Sequence, residues 1–317
     1  MKVVDLFSGC GGLTLGLQNA GYDVVLGVDN WVPAIAIYKS NFNHPILNMD
    51  LLDVKNSVKI LKKYKPEMIV GGPPCQDYSS AGKRNEELGR ADLTISFAEI
   101  INSIRPEYFI MENVERIVKS KRYSEALVIF RKAGYGITTR TLDASYCGVP
   151  QKRKRHFVIG SLTHDDGFLN PIIEKNLSKK PTTIRDYLGD ELDLEHYYRH
   201  PRNYNRRGVF SIDEPSPTVR GVNRPLPGGY PGHKKDSTNN LSEVRPLTTK
   251  ERSYIQTFPK NFHLVGGKTD IEQAIGNAVP VKLAQFVGDC LNEFLLVPYI
   301  NKEKEFSPII EPLRLSI

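Results

Sequence analysis

What this 317-residue chain lacks narrows its identity first. It has only four cysteines, Cys10, Cys75, Cys147 and Cys290, and they form neither a C-x-x-C pair nor a metal-ligand spacing. Disulfide frameworks belong to short secreted domains, so these thiols are expected to stay reduced, and a reduced cysteine is free to act as a nucleophile. No apolar run reaches the roughly 18 residues that a membrane-spanning helix needs. Met1–Asp5 already reads as a strand with no leader before it, so the expected compartment is the cytoplasm. No Gly-Lys-Ser or Gly-Lys-Thr follows the N-terminal glycine turn, which excludes a P-loop there. Acidic residues are the minority among charges, 36 against 43 Lys and Arg, for a net charge of +7. That excess favours a polyanionic partner, because neutralising phosphates releases counterions; a merely basic soluble protein fits the charge equally well.

What is present reads as globular, with 40% hydrophobic and 25% charged residues. The length suits one large domain, or one domain with a small second lobe. In the first half, short apolar runs alternate with helix-like segments. Strands are expected at 3–7, 24–28, 46–49, 68–72, 108–111, 137–144 and 156–160. Helices are expected at 13–20 (closed by Gly21), 33–41, 54–64 and 93–104. Such alternation predicts a parallel α/β sheet with helices on both faces. From about Ser161 to Asn240 the chain turns rich in Pro, Gly, Asn, Arg and Tyr, and its aromatics favour an irregular lobe over disorder. Helical signals return at 248–257 and 270–295. The expected division is therefore 1–164, a lobe at 165–244, and a return to the first domain at 245–317.

Three stretches at strand ends carry chemistry. Asp5-Leu6-Phe7-Ser8-Gly9-Cys10-Gly11-Gly12 joins the first strand to the first helix, where glycines let a ligand approach the backbone. Its spacing departs from the G-x-G-x-x-G of dinucleotide binders. Asp29 closes the second strand and suits a ribose; Asp50 closes the third and suits an adenine amine. Together they describe a site for a nucleoside without a pyrophosphate, such as S-adenosylmethionine, although a tight turn uses glycines for structural reasons too. Gly72-Pro73-Pro74-Cys75-Gln76 follows the fourth strand, at the sheet edge where α/β proteins bind ligands. A lone cysteine is usually a buried structural one; the polar, glycine-rich surroundings argue against that here. Glu112 follows the next apolar run and suits an acid or a base-reading group. In extended geometry Gln151, Arg153 and Arg155 share one face, as phosphate or carbonyl binders or simply as a basic turn.

These segments, with Glu112-Asn113-Val114, Gln151-Lys152-Arg153-Lys154-Arg155, Arg245-Pro246-Leu247-Thr248 and Gly276-Asn277-Ala278-Val279-Pro280, occur in an order that resembles the cytosine-5 DNA methyltransferases. The resemblance covers 1–160 and 245–295 and fades between them, where that family keeps its variable target-recognition region. It implies a Rossmann-like methyltransferase sheet and a small recognition lobe. Cys75 would attack carbon 6 of a cytosine, and Glu112 would engage ring nitrogen 3 and the exocyclic amine. Arg153 would hold the base's carbonyl oxygen, with Arg155 aiding the same site or a phosphate. S-adenosylmethionine would lie on Phe7, Gly9, Gly11, Gly12, Asp29, Asn30, Asp50, Leu51, Pro74, Leu93, Asn277 and Val279. The family's ribose acid is usually Glu, and here it is the shorter Asp29. The aromatic that often follows it is displaced to Trp31.

A stacked cytosine is out of reach, so the resemblance also implies base flipping. The segment from Ser79 to Ala91, with Lys83, Arg84 and Arg90, suits a lid over the flipped nucleotide. Gln76, Ser79 and the Thr218-Val219-Arg220 element of the lobe would meet DNA. The expected protein is a monomeric enzyme of a restriction–modification system acting on duplex DNA. The rival readings are a transfer-RNA cytosine methyltransferase and a catalytically silent nucleic-acid-binding protein. The sizeable lobe argues against the first, and intact Cys75, Glu112 and Arg153 argue against the second.

Overall fold

The computed structural model describes residues 1–74, 92–201, 203 and 205–296. Nearly uninterrupted apolar runs such as Met68-Ile69-Val70 suit strands covered on both faces, and these residues are fully buried. Strands β1 (Lys2–Leu6), β2 (Asp23–Asp29), β3 (Ile46–Asn48), β4 (Met68–Gly71) and β5 (Tyr108–Val114) run parallel. Helices α1 (Gly12–Asn19), α2 (Val32–Lys39), α3 (Val54–Leu61), α4 (Asp92–Ile104) and α5 (Lys121–Lys132) alternate with them. Two apolar clusters, one on Leu17, Ile159 and Leu283 and one on Leu26, Phe97 and Phe109, sandwich the sheet.

The all-parallel expectation fails at one strand. After β6 (Gly136–Asp143) and the two-residue β7 (Gln151–Lys152), strand β8 (Lys154–Ser161) inserts antiparallel between β5 and β6, giving the order β3-β2-β1-β4-β5-β8-β6. A parallel neighbour needs a crossover of a dozen residues or more; the short link from β6 leaves room only for a reversal. The reversal has a consequence for the site. The beginning of β8, with Arg155, lies at the same edge as the end of β5, with Glu112, and Val114 pairs in register with Arg155. Strand β5 also runs on through Val114, past its expected end, so Glu112 sits within it.

The second half is built from short elements: α6 (Asn170–Asn176), α7 (Ile184–Leu188), β9 (His196–Tyr198), β10 (Val209–Ser211), β11 (Ser216–Pro217) and β12 (Arg245–Pro246). Helix α7 starts at a capping box of Thr183 and Asp186. Strands β10, β9 and β12 form a small sheet over a separate core of Ile184, Tyr197, Phe210, Val219 and Leu247. Leu169 and Ile173 belong instead to the main sheet's core, so by packing the lobe begins after α6, later than the boundary at 165. Helix α8 (Thr249–Ile255) opens on a second capping box, Thr248 with Glu251. The single helical signal expected at 270–295 is two helices, α9 (Lys268–Asn277) and α10 (Val281–Leu296). Pro280 breaks them, because it lacks an N–H and disfavours helix in the residue before it.

Candidate active site

The carboxyl ends of β1, β4 and β5 meet where the strand order reverses, the usual ligand crevice of an open α/β sheet. Glu112 is 7% exposed there, and its Oε1 lies 2.8 Å from Arg155 Nε. Burial pushes the Glu112 carboxyl above its ordinary value, against the pull of Arg155 and Arg153. A raised carboxyl can carry a proton that it donates to a ring nitrogen. The segment leading to Cys75 is tied to this acid. Asn113 Nδ2 donates to Pro73 O at 3.0 Å. Gly72 passes so near that a β-carbon there would stand 3.0 Å from Glu112 Oε2. Cys75, Gln76, Ser79, Lys83, Arg84 and Arg90 lie outside the described residues. The other three cysteines, Cys10, Cys147 and Cys290, are buried; burial pushes their thiols up, Cys10 and Cys290 to about 12. None of those three is prepared as a thiolate.

The two arginines part company. The expectation that Arg153 holds the base's carbonyl oxygen is corrected by where its guanidinium goes. Its Nη1 donates to Val219 O at 3.0 Å, and its Nη2 donates to Gly276 O at 2.9 Å and Ala278 O at 3.0 Å. Gln151, fully buried, accepts from Val219 N at 2.9 Å and donates to Gln256 Oε1 at 2.7 Å. Gln256 in turn donates to Ala278 O at 3.1 Å. Arg155 is therefore the arginine beside the acid, and Gln151 and Arg153 are a buried polar junction. Nothing in the sequence marked Gln256 as part of this arrangement, because its partners are remote in sequence, and Asn113 entered only within the Glu112-Asn113-Val114 motif.

The turn from Phe7 to Gly12 fits a nucleoside-bearing cofactor. Asp29 Oδ2 accepts from Gly9 N at 2.7 Å and Oδ1 from Trp31 N at 2.8 Å, and the carboxylate keeps lone-pair capacity for a ribose hydroxyl. Space above Gly9 is open, whereas a β-carbon on Gly12 would stand 2.2 Å from Val279 O. The Gly276–Pro280 segment thus closes the turn's other side, with Asn277 and Val279 on it. Asp50 is exposed and accepts from Leu52 N at 3.0 Å; Leu51 and Leu93 are buried. Trp31 packs towards Cys10, Ile37 and Phe258. Pro74 ends the described segment, and Asn30, next to Asp29, is exposed. Beneath the turn a buried chain runs inward. Thr14 donates to Asp5 Oδ2 at 2.6 Å and touches Tyr38 OH at 3.0 Å, and Tyr38 OH meets His44 Nε2 at 2.7 Å. Among the described residues no cluster could hold a metal ion.

In the lobe, Thr218 Oγ1 donates to Lys152 O at 2.8 Å, and Arg220 donates to His200 O. Arg220 borders a cleft lined also by Arg199, His200, Pro217, Val219, Asn223 and Arg252. Three successive carbonyls of this strap are each held by a different arginine: Thr218 O by Arg199, Val219 O by Arg153 and Arg220 O by Arg252.

Sheet order, edge acid and nucleoside turn define a methyltransferase of the Rossmann-like kind. The family model described as C-5 cytosine-specific DNA methylase matches residues 1–293, and the chain belongs to that family. The chain is 60% identical over 306 residues to the type II methyltransferase M.HindV of Haemophilus influenzae, covering 96% of this chain and 98% of that one. It is 53% identical over 302 residues to M.HgiDI of Herpetosiphon aurantiacus, covering 95% and 97%. Among solved structures, the S. pombe Dnmt2 methyltransferase shares the fold at a TM-score of 0.69 and 18% identity, over 93% of this chain and 99% of that one. Among the described residues no helix is long and apolar enough to cross a membrane.

Proposed function

We propose that this DNA cytosine-5 methyltransferase modifies one cytosine in a short duplex sequence through a covalent Cys75 adduct. It works as a cytoplasmic monomer, the modification partner of a type II restriction endonuclease. The observation that carries the site assignment is the buried Glu112–Arg155 pair, against which Gly72 and Pro73 lead the chain towards Cys75. The cysteine thiolate forms a bond to carbon 6 of the flipped base. Glu112 gives a proton to ring nitrogen 3, so the adduct's electron density gathers at carbon 5 instead of remaining as charge on the ring. Arg155 steadies Glu112 and faces the base's carbonyl oxygen, the role that Arg153 is too committed to fill. S-adenosylmethionine, when bound, supplies an electrophilic methyl group. Asp29 would hold its ribose, the Phe7–Gly12 turn and Val279 its walls, and Asp50 with Leu51 its adenine. The carbon-5 proton then leaves to water, the restored ring double bond expels the Cys75 sulfur as thiolate, and ring nitrogen 3 returns its proton to Glu112.

Thr218, Arg220 and the loop residues Gln76, Ser79, Lys83, Arg84 and Arg90 would engage the DNA. The very similar type II methyltransferases support the modification role. The test is labelled S-adenosylmethionine with a mixture of duplex DNA and transfer RNA, followed by bisulfite mapping. Label on DNA at one short sequence is expected; label on RNA alone would overturn the DNA assignment.

A further inference from the structure

Arg153 is the largest of the fully buried side chains, yet it serves neither sheet face. Its guanidinium joins two segments distant from it in sequence, at Val219 on one side and at Gly276 and Ala278 on the other. Gln151 and Gln256 brace the same junction, so that both polar ends of Val219, its N–H and its carbonyl, are held by side chains from 151–153. Val219 stands between Thr218 and Arg220 of the recognition strap. Gly276 and Ala278 flank Asn277, and Val279 O closes on Gly12 of the cofactor turn. Two residues beyond Arg153, Arg155 meets Glu112. One planar cation therefore fixes the geometry of a DNA-facing strap to that of a cofactor-facing wall. Its donors form a rigid fork, which an ammonium cannot reproduce.

Resting on the functional reading above, we propose that Arg153 is a positioning residue that couples cofactor binding to recognition of the DNA sequence. A ligand that fixes the wall also fixes the strap through this fork. The second ligand then meets a site already ordered, and each tightens the other by the same factor.

The experiment uses the full chain and a duplex carrying the mapped methylation sequence. The affinity for S-adenosylhomocysteine is measured with and without that duplex, alongside kcat and both KM values. In the unmodified protein each ligand should tighten the other about tenfold. In Arg153→Lys that ratio should fall towards one, with both KM values rising by more than kcat falls. A melting scan checks that the variant is folded. Should it not fold, Gln151→Met leaves Arg153 in place, frees the N–H of Val219, and should also lower the ratio. A ratio of one in the unmodified protein, or an undiminished ratio in the folded variant, overturns the proposal. So does a collapse of kcat at unchanged KM, which would return Arg153 to the base. An unmodified protein that labels no DNA defeats the functional reading itself. A methylating protein whose coupling survives Arg153→Lys defeats only this inference.

Discussion

The sheet and the lobe of this chain are held together by different physics. In the sheet, residues such as Val3, Leu26, Ile69, Phe109 and Ile159 are fully buried, and aromatic rings interlock, Phe109 with Phe130 at 4.2 Å between centroids. In the lobe, a smaller apolar core is supplemented by charge. Arg185 pairs with Asp190, Glu195 and Asp213. Arg207 pairs with Glu214 and lies 4.2 Å over the ring of Phe210. Asp236 accepts the N–H groups of Gly208, Val209 and His233. Apolar burial tolerates many sequences, whereas a paired charge needs its partner in place. The lobe therefore depends on specific charged partners where the sheet depends on buried area, and the two meet at the Arg153 junction.

The largest expected effect on activity falls at the sheet's edge, and the largest on stability in its core. Glu112→Gln should lower kcat by roughly a hundredfold or more, as loss of a general acid does, while the melting temperature stays near its original value. A fall in melting with kcat intact would make Glu112 structural. Next comes the core itself. Phe109→Ala, which empties a space bounded by Phe97, Phe130 and Tyr135, should cost about 3–5 kcal/mol in denaturant unfolding. Arg207→Met in the lobe should cost about 1 kcal/mol, and its effect should shrink in high salt. Equal costs for the two, or a lobe indifferent to salt, would break the contrast.

The smallest effect is a cancellation within the sheet. Burial lowers His156 from its ordinary 6.5 to about 4, so its contribution is complete above 6.5 and lost as pH falls towards 4. Burial raises Asp5 from its ordinary 3.8 to about 7, so its contribution is complete below 3.8 and lost as pH rises through 7. Between about pH 4 and 6.5 the two slopes oppose each other. Relative to the unmodified protein, Asp5→Asn should therefore tilt the melting temperature upward with pH across that window, and His156→Gln should tilt it downward. Parallel profiles for both variants would contradict these assignments.

The same contrast decided what could be read from the sequence. Strands β1 to β5 announce themselves as apolar runs between turn residues, because burial on both faces leaves a continuous signature. The glycine turn and Asp29 were legible from their places at strand ends, and Glu112 from its place after the apolar run of β5. Strand β8 was legible as a strand but not in its direction, which depends on the length of the link before it. Helix α5, with its charged Lys121-Arg122 start, and the small lobe elements gave no signal, since their order comes from tertiary partners. The different partners of Arg153 and Arg155 were hidden for the same reason. Extended geometry put both on one face, and only the folded neighbours of each, three carbonyls for one and a carboxylate for the other, distinguish them.

The most direct measurement of the central claim uses a duplex bearing 5-fluorocytosine at the mapped target position, with S-adenosylmethionine present. Fluorine in place of the carbon-5 proton cannot leave in the final step, so the sulfur stays bonded to carbon 6. The unmodified protein should form a complex with this duplex that survives denaturation, and Cys75→Ser should form none while binding the duplex comparably. A denaturation-resistant complex in Cys75→Ser, or its absence in a methylating unmodified protein, would contradict attack by Cys75.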